Sequence, residues 1–235
     1  MLHTTLLNIL LPPICVGCNK EGFFICLDCT ETIETYKYLV CPVCKRRDLG
    51  GRLDESCRKT TNLTRFFSAV PYSDEIIRKS IYALKYNFAK DLSSPLSEML
   101  IDFLDKNNFE DIISDYKKRL ALIPVPLYNF RHRQRGFNQS AELARLISKR
   151  YEIEVLDNSL IKHRNTEQQV NIKNRSQKAL NVSESFTCKY PEAIQNKIVA
   201  LVDDVYTTGS TMRECAKILR DNGAAQIWGI TVAKG

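Results

Sequence analysis

The sequence predicts an α/β protein, a parallel sheet flanked by helices and preceded by a small cysteine-rich module of zinc-ribbon type. Three observations carry this. Seven of the nine cysteines fall within the first 57 residues, six of them as pairs two residues apart. From about Arg65 onward, short apolar runs alternate with amphipathic helical patterns, as strand–helix–strand units do. Two of those runs, from Leu120 to Val125 and from Ile198 to Val202, are apolar throughout, as expected of strands buried on both faces.

The boundary is placed after residue 64, giving a cysteine module over 1–64 and an α/β domain over 65–235. The module has too few apolar residues for a core of its own, so a bound ion would supply the missing stability. Its early apolar run, Leu6 to Ile14, is interrupted by Asn8, Pro12 and Pro13. No run approaches the roughly 18 residues that span a bilayer, and the start lacks a secretory pattern. A cytoplasmic protein without membrane insertion is expected.

In the second segment, Phe66 to Val70 reads as a strand. Asp74 to Tyr86 is helical, with Ile77, Ile81 and Leu84 on one face. Leu92 to Leu104 is a second helix, with Pro95 in its first turn. Leu120 to Val125 is a buried strand, Gln139 to Arg150 a helix, and Glu152 to Leu156 a short strand. The polar stretch from Glu167 to Asn174 is a loop. Ile198 to Asp203 is a continuous apolar strand ending in acids. Ser210 to Asn222 is a helix closed by Gly223, and Ile227 to Val232 is the last strand.

The cysteine spacing is Cys15-x2-Cys18, Cys26-x2-Cys29, Cys41-x2-Cys44 and a single Cys57. A two-residue gap lets a turn aim both sulfurs at one tetrahedral ion, at about 2.3 Å each. Seven thiolates leave a second four-ligand site one short. Asp54 and Thr60 lie three positions either side of Cys57, and of the two Asp54 is the plausible oxygen ligand. Consecutive pairs would give one ion to Cys15, Cys18, Cys26 and Cys29 and another to Cys41, Cys44, Cys57 and Asp54; a cross-braced pairing of pair one with pair three fits the spacing equally. Four protein ligands make such a site structural. Lys45, Arg46 and Arg47 form a small basic knuckle beside it. Cys188 and Cys215 are isolated and read as buried small hydrophobes.

The net charge is +7, and eleven Lys and Arg stand against five Asp and Glu between Arg131 and Lys178. A basic stretch of this kind favours a phosphate-bearing partner. The sharpest motif is Val202-Asp203-Asp204-Val205-Tyr206-Thr207-Thr208-Gly209-Ser210-Thr211. A buried strand ends in two carboxylates, and a loop of hydroxyl residues then opens a helix. Backbone N–H groups at the helix start and the loop hydroxyls can wrap a phosphate. Gly209 permits close backbone approach. Carboxylates beside that cradle suit sugar hydroxyls or Mg²⁺. The ligand class is therefore a sugar phosphate. Neither a Walker loop nor a dinucleotide glycine motif is present.

The motif resembles the phosphoribosyl diphosphate (PRPP) loop of type I phosphoribosyltransferases. A second region narrows the likeness: Pro124-Val125-Pro126-Leu127, Arg131, then Arg135-Gly136-Phe137-Asn138-Gln139. With the cysteine pairs ahead of it, and with Arg164, Thr166, Gln169, Arg175 and Asn181 after it, the chain resembles the ComF family over essentially its whole length. The resemblance implies PRPP held by Asp203, Asp204, Thr207, Thr208, Gly209, Ser210 and Thr211. It implies diphosphate contacts from a loop over Pro124 to Arg135, with Arg131 and Arg135, and from a mobile stretch His163 to Lys178 with Arg164, Lys173 and Arg175. Lys85-Tyr86 falls where the family has a Lys-Tyr pair, followed here by Asn87-Phe88-Ala89 rather than a glycine. Where purine-type transferases carry an Asp that meets the base, this chain has Thr207. No other residue presents itself as a base partner, and His132 and His163 flank basic residues.

Three functions are consistent with these residues. The resemblance implies PRPP binding with Mg²⁺, structural Zn²⁺, and a role in natural transformation, with single-stranded DNA contacted by the basic stretch and stacked on Phe130 or Phe137. The second is an active phosphoribosyltransferase of nucleotide salvage. The third is a docking protein whose zinc module recruits a competence helicase.

Overall fold

The computed structural model describes residues 12–86, 89–163 and 185–235. Its centre is a five-stranded, all-parallel sheet formed by β1 (Arg65–Pro71), β2 (Leu120–Pro124), β3 (Glu154–Val155), β6 (Ile198–Tyr206) and β7 (Gln226–Lys234), in the order β1-β7-β6-β2-β3. A two-stranded antiparallel hairpin, β4 (Leu160–Lys162) and β5 (Phe186–Cys188), stands apart from it. The helices are α1 (Leu27–Thr32), α2 (Glu55–Thr61), α3 (Glu75–Tyr86), α4 (Ser93–Lys106), α5 (Phe109–Ser114), α6 (Asn129–Arg135), α7 (Gln139–Tyr151), α8 (Pro191–Ile194) and α9 (Ser210–Asp221). None among the described residues is long and apolar enough to cross a membrane.

Alternation along the strands sorts the core into two layers. Leu122, Ala200, Val202, Trp228 and Ile230 face Leu84, Leu100, Leu143 and Ile147 of α3, α4 and α7. Ile123, Val199, Leu201 and Ile227 face Met212, Cys215, Ala216 and Leu219 of α9. The second set recurs at i, i+3, i+4 and i+7, which gives α9 one apolar stripe. Asp74 accepts a hydrogen bond from the Ile77 N–H at 3.0 Å and so starts α3. Gly223, at φ +96°, ends the turn after α9.

The cysteine-bearing segment shares these layers. Cys15, Cys26 and Cys29 belong to the first, Cys41 and Cys57 to the second. Its backbone also covers edge strand β1: Leu53 N–H donates to Thr64 at 3.0 Å, Phe66 N–H to Gly51 at 2.9 Å, and Tyr36 N–H to Ala69 at 2.7 Å. An edge that would otherwise invite a foreign strand is thereby closed.

The expected strands and helices are present, with bounds shifted by a few residues. Strands β6 and β7 run three and two residues further than the apolar pattern. Seven short elements carry too little periodicity to be read from sequence: α1, α2, α5, α6, α8 and the three-residue strands β4 and β5. Helix α6 replaces the open loop expected up to Arg135. Its three arginines and Gln134 are good helix formers, and Gly136 at φ +76° stops it, donating to His132 O at 2.8 Å. The loop expected over Glu167 to Asn174 lies outside the described residues.

Candidate functional site

Strand order places the site. After β2 the chain moves outward to β3, then returns to the other side of β2 to form β6 and β7. The crevice between β2 and β6 is a topological switch point, where α/β sheets bind ligands at the carboxyl ends of the strands. Helix α7 follows on one face and α9 on the other, so their N-termini flank the crevice.

The β6 end supplies a small cavity lined by Asp203, residues 205–211 and Met212. Gly209 precedes α9 in the left-handed region at φ +70°, with no side-chain cap. The first N–H groups of α9 therefore face the loop without intrahelical partners. Thr208 Oγ1 lies 3.1 Å from Ser210 Oγ and 3.4 Å from the Ser210 N–H. A Cβ on Gly209 would meet the Tyr206 hydroxyl at 2.1 Å. Gly209→Ala is expected to cost about 2 kcal/mol through this clash and the left-handed backbone, lowering Tm by roughly 4–8 °C in a melting experiment. An unchanged Tm would show that the loop yields freely.

Consecutive residues of a strand point to opposite faces, and the two acids do so. Asp203 lines the cavity; its Oδ1 accepts from Ser140 Oγ at 2.9 Å and from the Asp204 N–H at 2.9 Å. Burial, then the Asp204 charge, push its carboxyl up to about 7, against the pull of Lys85. Asp204, 1% exposed, turns to the other face, where Oδ1 meets Lys85 Nζ at 2.9 Å. Its Oδ2 is buried with no hydrogen-bond partner among the described residues. Desolvation works against the Lys85 ammonium, but the two aspartates outweigh it and raise its pKa. Lys85, expected at a diphosphate, thus has its ammonium on an aspartate.

The Arg135–Gln139 run fastens the β2 side of the crevice. Asn138 caps α7 by accepting from the Ser140 N–H at 3.1 Å and donates to Val125 O at 3.1 Å. Ser140, which the sequence did not single out, carries the cap geometry across to Asp203. The signal for it is an N-cap asparagine ahead of an apolar periodic run. Arg135 is turned inward, 7% exposed, with its guanidinium 5.3 Å from the Tyr86 ring and hydrogen-bonded to Gln139 at 3.1 Å. Arg131 is half-buried on α6. Phe137 packs in the core and is not available for stacking, whereas Phe130 is exposed. Beyond α6 lies a cavity of about 600 Å³, lined among others by His132, Glu142, Asn158 and Lys162. His163 is exposed. Arg164, Thr166, Gln169, Lys173, Arg175 and Asn181 lie outside the described residues, as do Asn87 and Phe88.

The cysteines form two clusters. The sulfurs of Cys15, Cys18, Cys26 and Cys29 all lie within 4.8 Å of one another, as do those of Cys41, Cys44 and Cys57. The pairing is consecutive, which corrects the cross-braced alternative. A tetrahedral ion needs sulfurs about 3.8 Å apart, so the first set is positioned to hold one. Burial raises the Cys15 thiol, but N–H groups of Cys18, Cys26 and Gly17 outweigh it and bring it down to about 6, favouring the thiolate that metals bind. In the second cluster, Asp54 Oδ2 accepts from Cys44 Sγ at 3.8 Å, while Oδ1 is ion-paired with Arg46. Thr60 donates to Ser56 O and is exposed. Cys188 and Cys215 are buried.

No family model matches the chain. It is 40% identical over 117 residues to competence protein F of Haemophilus influenzae, a match covering 48% of this chain and 50% of that protein. It is 30% identical over 210 residues to DNA utilization protein YhgH of Escherichia coli K12, covering 87% and 88% of the two chains. Competence protein ComFC of Streptococcus pneumoniae is 27% identical over 216 residues, covering 89% and 87%. The match thus spans half the length of the first relative and most of the other two.

Proposed function

Because the chain belongs to the family of competence protein F and DNA utilization protein YhgH, we propose that it serves DNA uptake, binding PRPP on a phosphoribosyltransferase-type scaffold and handling incoming single-stranded DNA in the cytoplasm. The observation that carries the ligand is the pairing of Asp203, held by Ser140, with a hydroxyl-rich loop at the start of α9. The loop takes the 5′-phosphate and the carboxylate takes ribose hydroxyls. Mg²⁺ accompanies the diphosphate, whose anionic oxygens are also met by Arg131, Arg164 and Arg175. Zn²⁺ occupies the cysteine clusters as a structural ion. Thr207 has no acid or base function near neutral pH, so the proposal is one of binding rather than transfer.

Calorimetric titration of PRPP with Mg²⁺ tests this. Wild type should bind, and Asp203→Asn should weaken binding at least tenfold, about 1.4 kcal/mol. Failure of wild type to bind would remove PRPP from the account. The affinity should also rise between about pH 6 and pH 8 as Asp203 ionises. Its folded pKa lies above the unfolded 3.8, so the native state holds the extra proton, and the Asp203 contribution to stability falls as pH rises from about 4 to about 7.

A further inference from the structure

The outer face of α3 carries a row of side chains that the crevice does not use. Arg78, Lys79, Tyr82 and Tyr86 are all exposed, and at these spacings they share one side of the helix. The Tyr82 and Tyr86 rings stand 4.8 Å apart, tilted by 39°. Arg78, Lys79 and Tyr82 also line a groove of about 480 Å³ with Val16, Tyr72 and Ala83. Tyr82 and Tyr86 are 59% and 44% exposed, so two large rings lie open on one stripe. We infer that this stripe is a binding surface for single-stranded DNA, with the tyrosines as stacking platforms and Arg78 and Lys79 on the phosphates.

The chemistry selects this occupant. Exposed aromatic rings interleaved with basic side chains bind unpaired bases without sequence preference, because every base has a π-face. The two rings, with centroids 4.8 Å apart, make one continuous ledge, and only unpaired bases can lay their faces on it. A single strand therefore fits better than paired DNA. Glu75 tempers the charge through its 2.8 Å ion pair with Lys79, and Lys85 is committed to Asp204, so Arg78 carries most of the stripe's positive charge. No large aliphatic side chain is exposed on α3, which disfavours a protein groove. The stripe also leads toward the crevice. Tyr86 lies under Arg135, and its neighbour Lys85 holds Asp204. A strand laid along α3 would run toward the sugar-phosphate site.

The inference rests on the DNA-handling function and can fail separately from it. The test is fluorescence anisotropy of the full, metal-bound chain with labelled oligothymidylate. The Tyr82→Ala/Tyr86→Ala double variant should weaken binding by about tenfold or more per ring, whereas Tyr82→Phe/Tyr86→Phe should keep it. Arg78→Gln/Lys79→Gln should flatten the salt dependence by about 0.7 per lost contact in log–log slope. Melting curves matching wild type show that the variants are folded. If wild type binds and the alanine variant binds equally well, the surface assignment falls, and the stripe belongs to a protein partner. If wild type does not bind the oligonucleotide at all, the DNA-handling function falls with it. A preference for duplex over single strand would also overturn the inference.

Discussion

Stripping metal from the full chain is expected to unfold more than the segment that carries the cysteines. The clusters are not set apart from the sheet. Cys15, Cys26 and Cys29 share an apolar layer with Ile77, Ile81 and Leu84 of α3, and a Cβ on Gly17 would come within 3.3 Å of the Ile76 side chain. Cys41 and Cys57 share the opposite layer with Phe66, Tyr206 and Met212. Structural zinc contributes on the order of 10 kcal/mol in small modules, comparable with the entire stability of an ordinary domain. A strong chelator should therefore abolish hydrogen-exchange protection in residues 12–64 and lower it in α3 and β1. Protection that persists in α3 once the metal is gone would refute the coupling. The clusters should also differ. Cys26→Ser breaks a set of four thiols, whereas Asp54→Ala removes an oxygen already shared with Arg46. The first substitution should lower Tm by far more than the second.

What the sequence disclosed depended on whether the signal was local. The buried strands β2 and β6 are continuous apolar runs, and α9 is a four-residue stripe; both are properties of neighbouring residues. The cysteine spacing was legible for the same reason, but the pairing was not, because consecutive and crossed arrangements have identical local turns. The proposed phosphate loop was legible as a strand, hydroxyl loop and helix start. The fates of Asp203 and Asp204 were not. Two adjacent acids look equivalent in a sequence, yet strand alternation sends one to the cavity and the other to a lysine 119 positions earlier. The surroundings of Arg135 were not legible either: a guanidinium in a basic run reads as a phosphate ligand, whereas its packing against Tyr86 turns it inward here. Helix α6 was missed because its polar residues have helix propensity but no apolar period.

The Lys85–Asp204 pair should show the second large effect. Asp204 has a side-chain exposure of 2% and Lys85 of 22%, so the carboxylate has left water and depends on this ammonium. Removing one partner of a buried pair leaves an uncompensated charge and costs about 3–5 kcal/mol. Lys85→Met is expected to lose that much near pH 7, read as a shift in urea midpoint. Asp203 sharpens the effect, because its own charge then repels Asp204 with no cation between the two. The loss should shrink at lower pH, because Asp203, whose carboxyl burial and the Asp204 charge push up to about 7, becomes neutral there and no longer repels Asp204. Lys85→Met/Asp204→Asn removes both charges together and should recover much of the loss, because an amide needs no counter-ion. That recovery separates an electrostatic role from lost packing of the lysine stem, which both variants share. Equal destabilisation of the single and double variants at every pH would assign the position to packing alone. If the electrostatic result holds, α3 is tied to the end of β6 by charge, and the last turn of the proposed DNA stripe is fixed to the strand that bears the proposed sugar-phosphate loop.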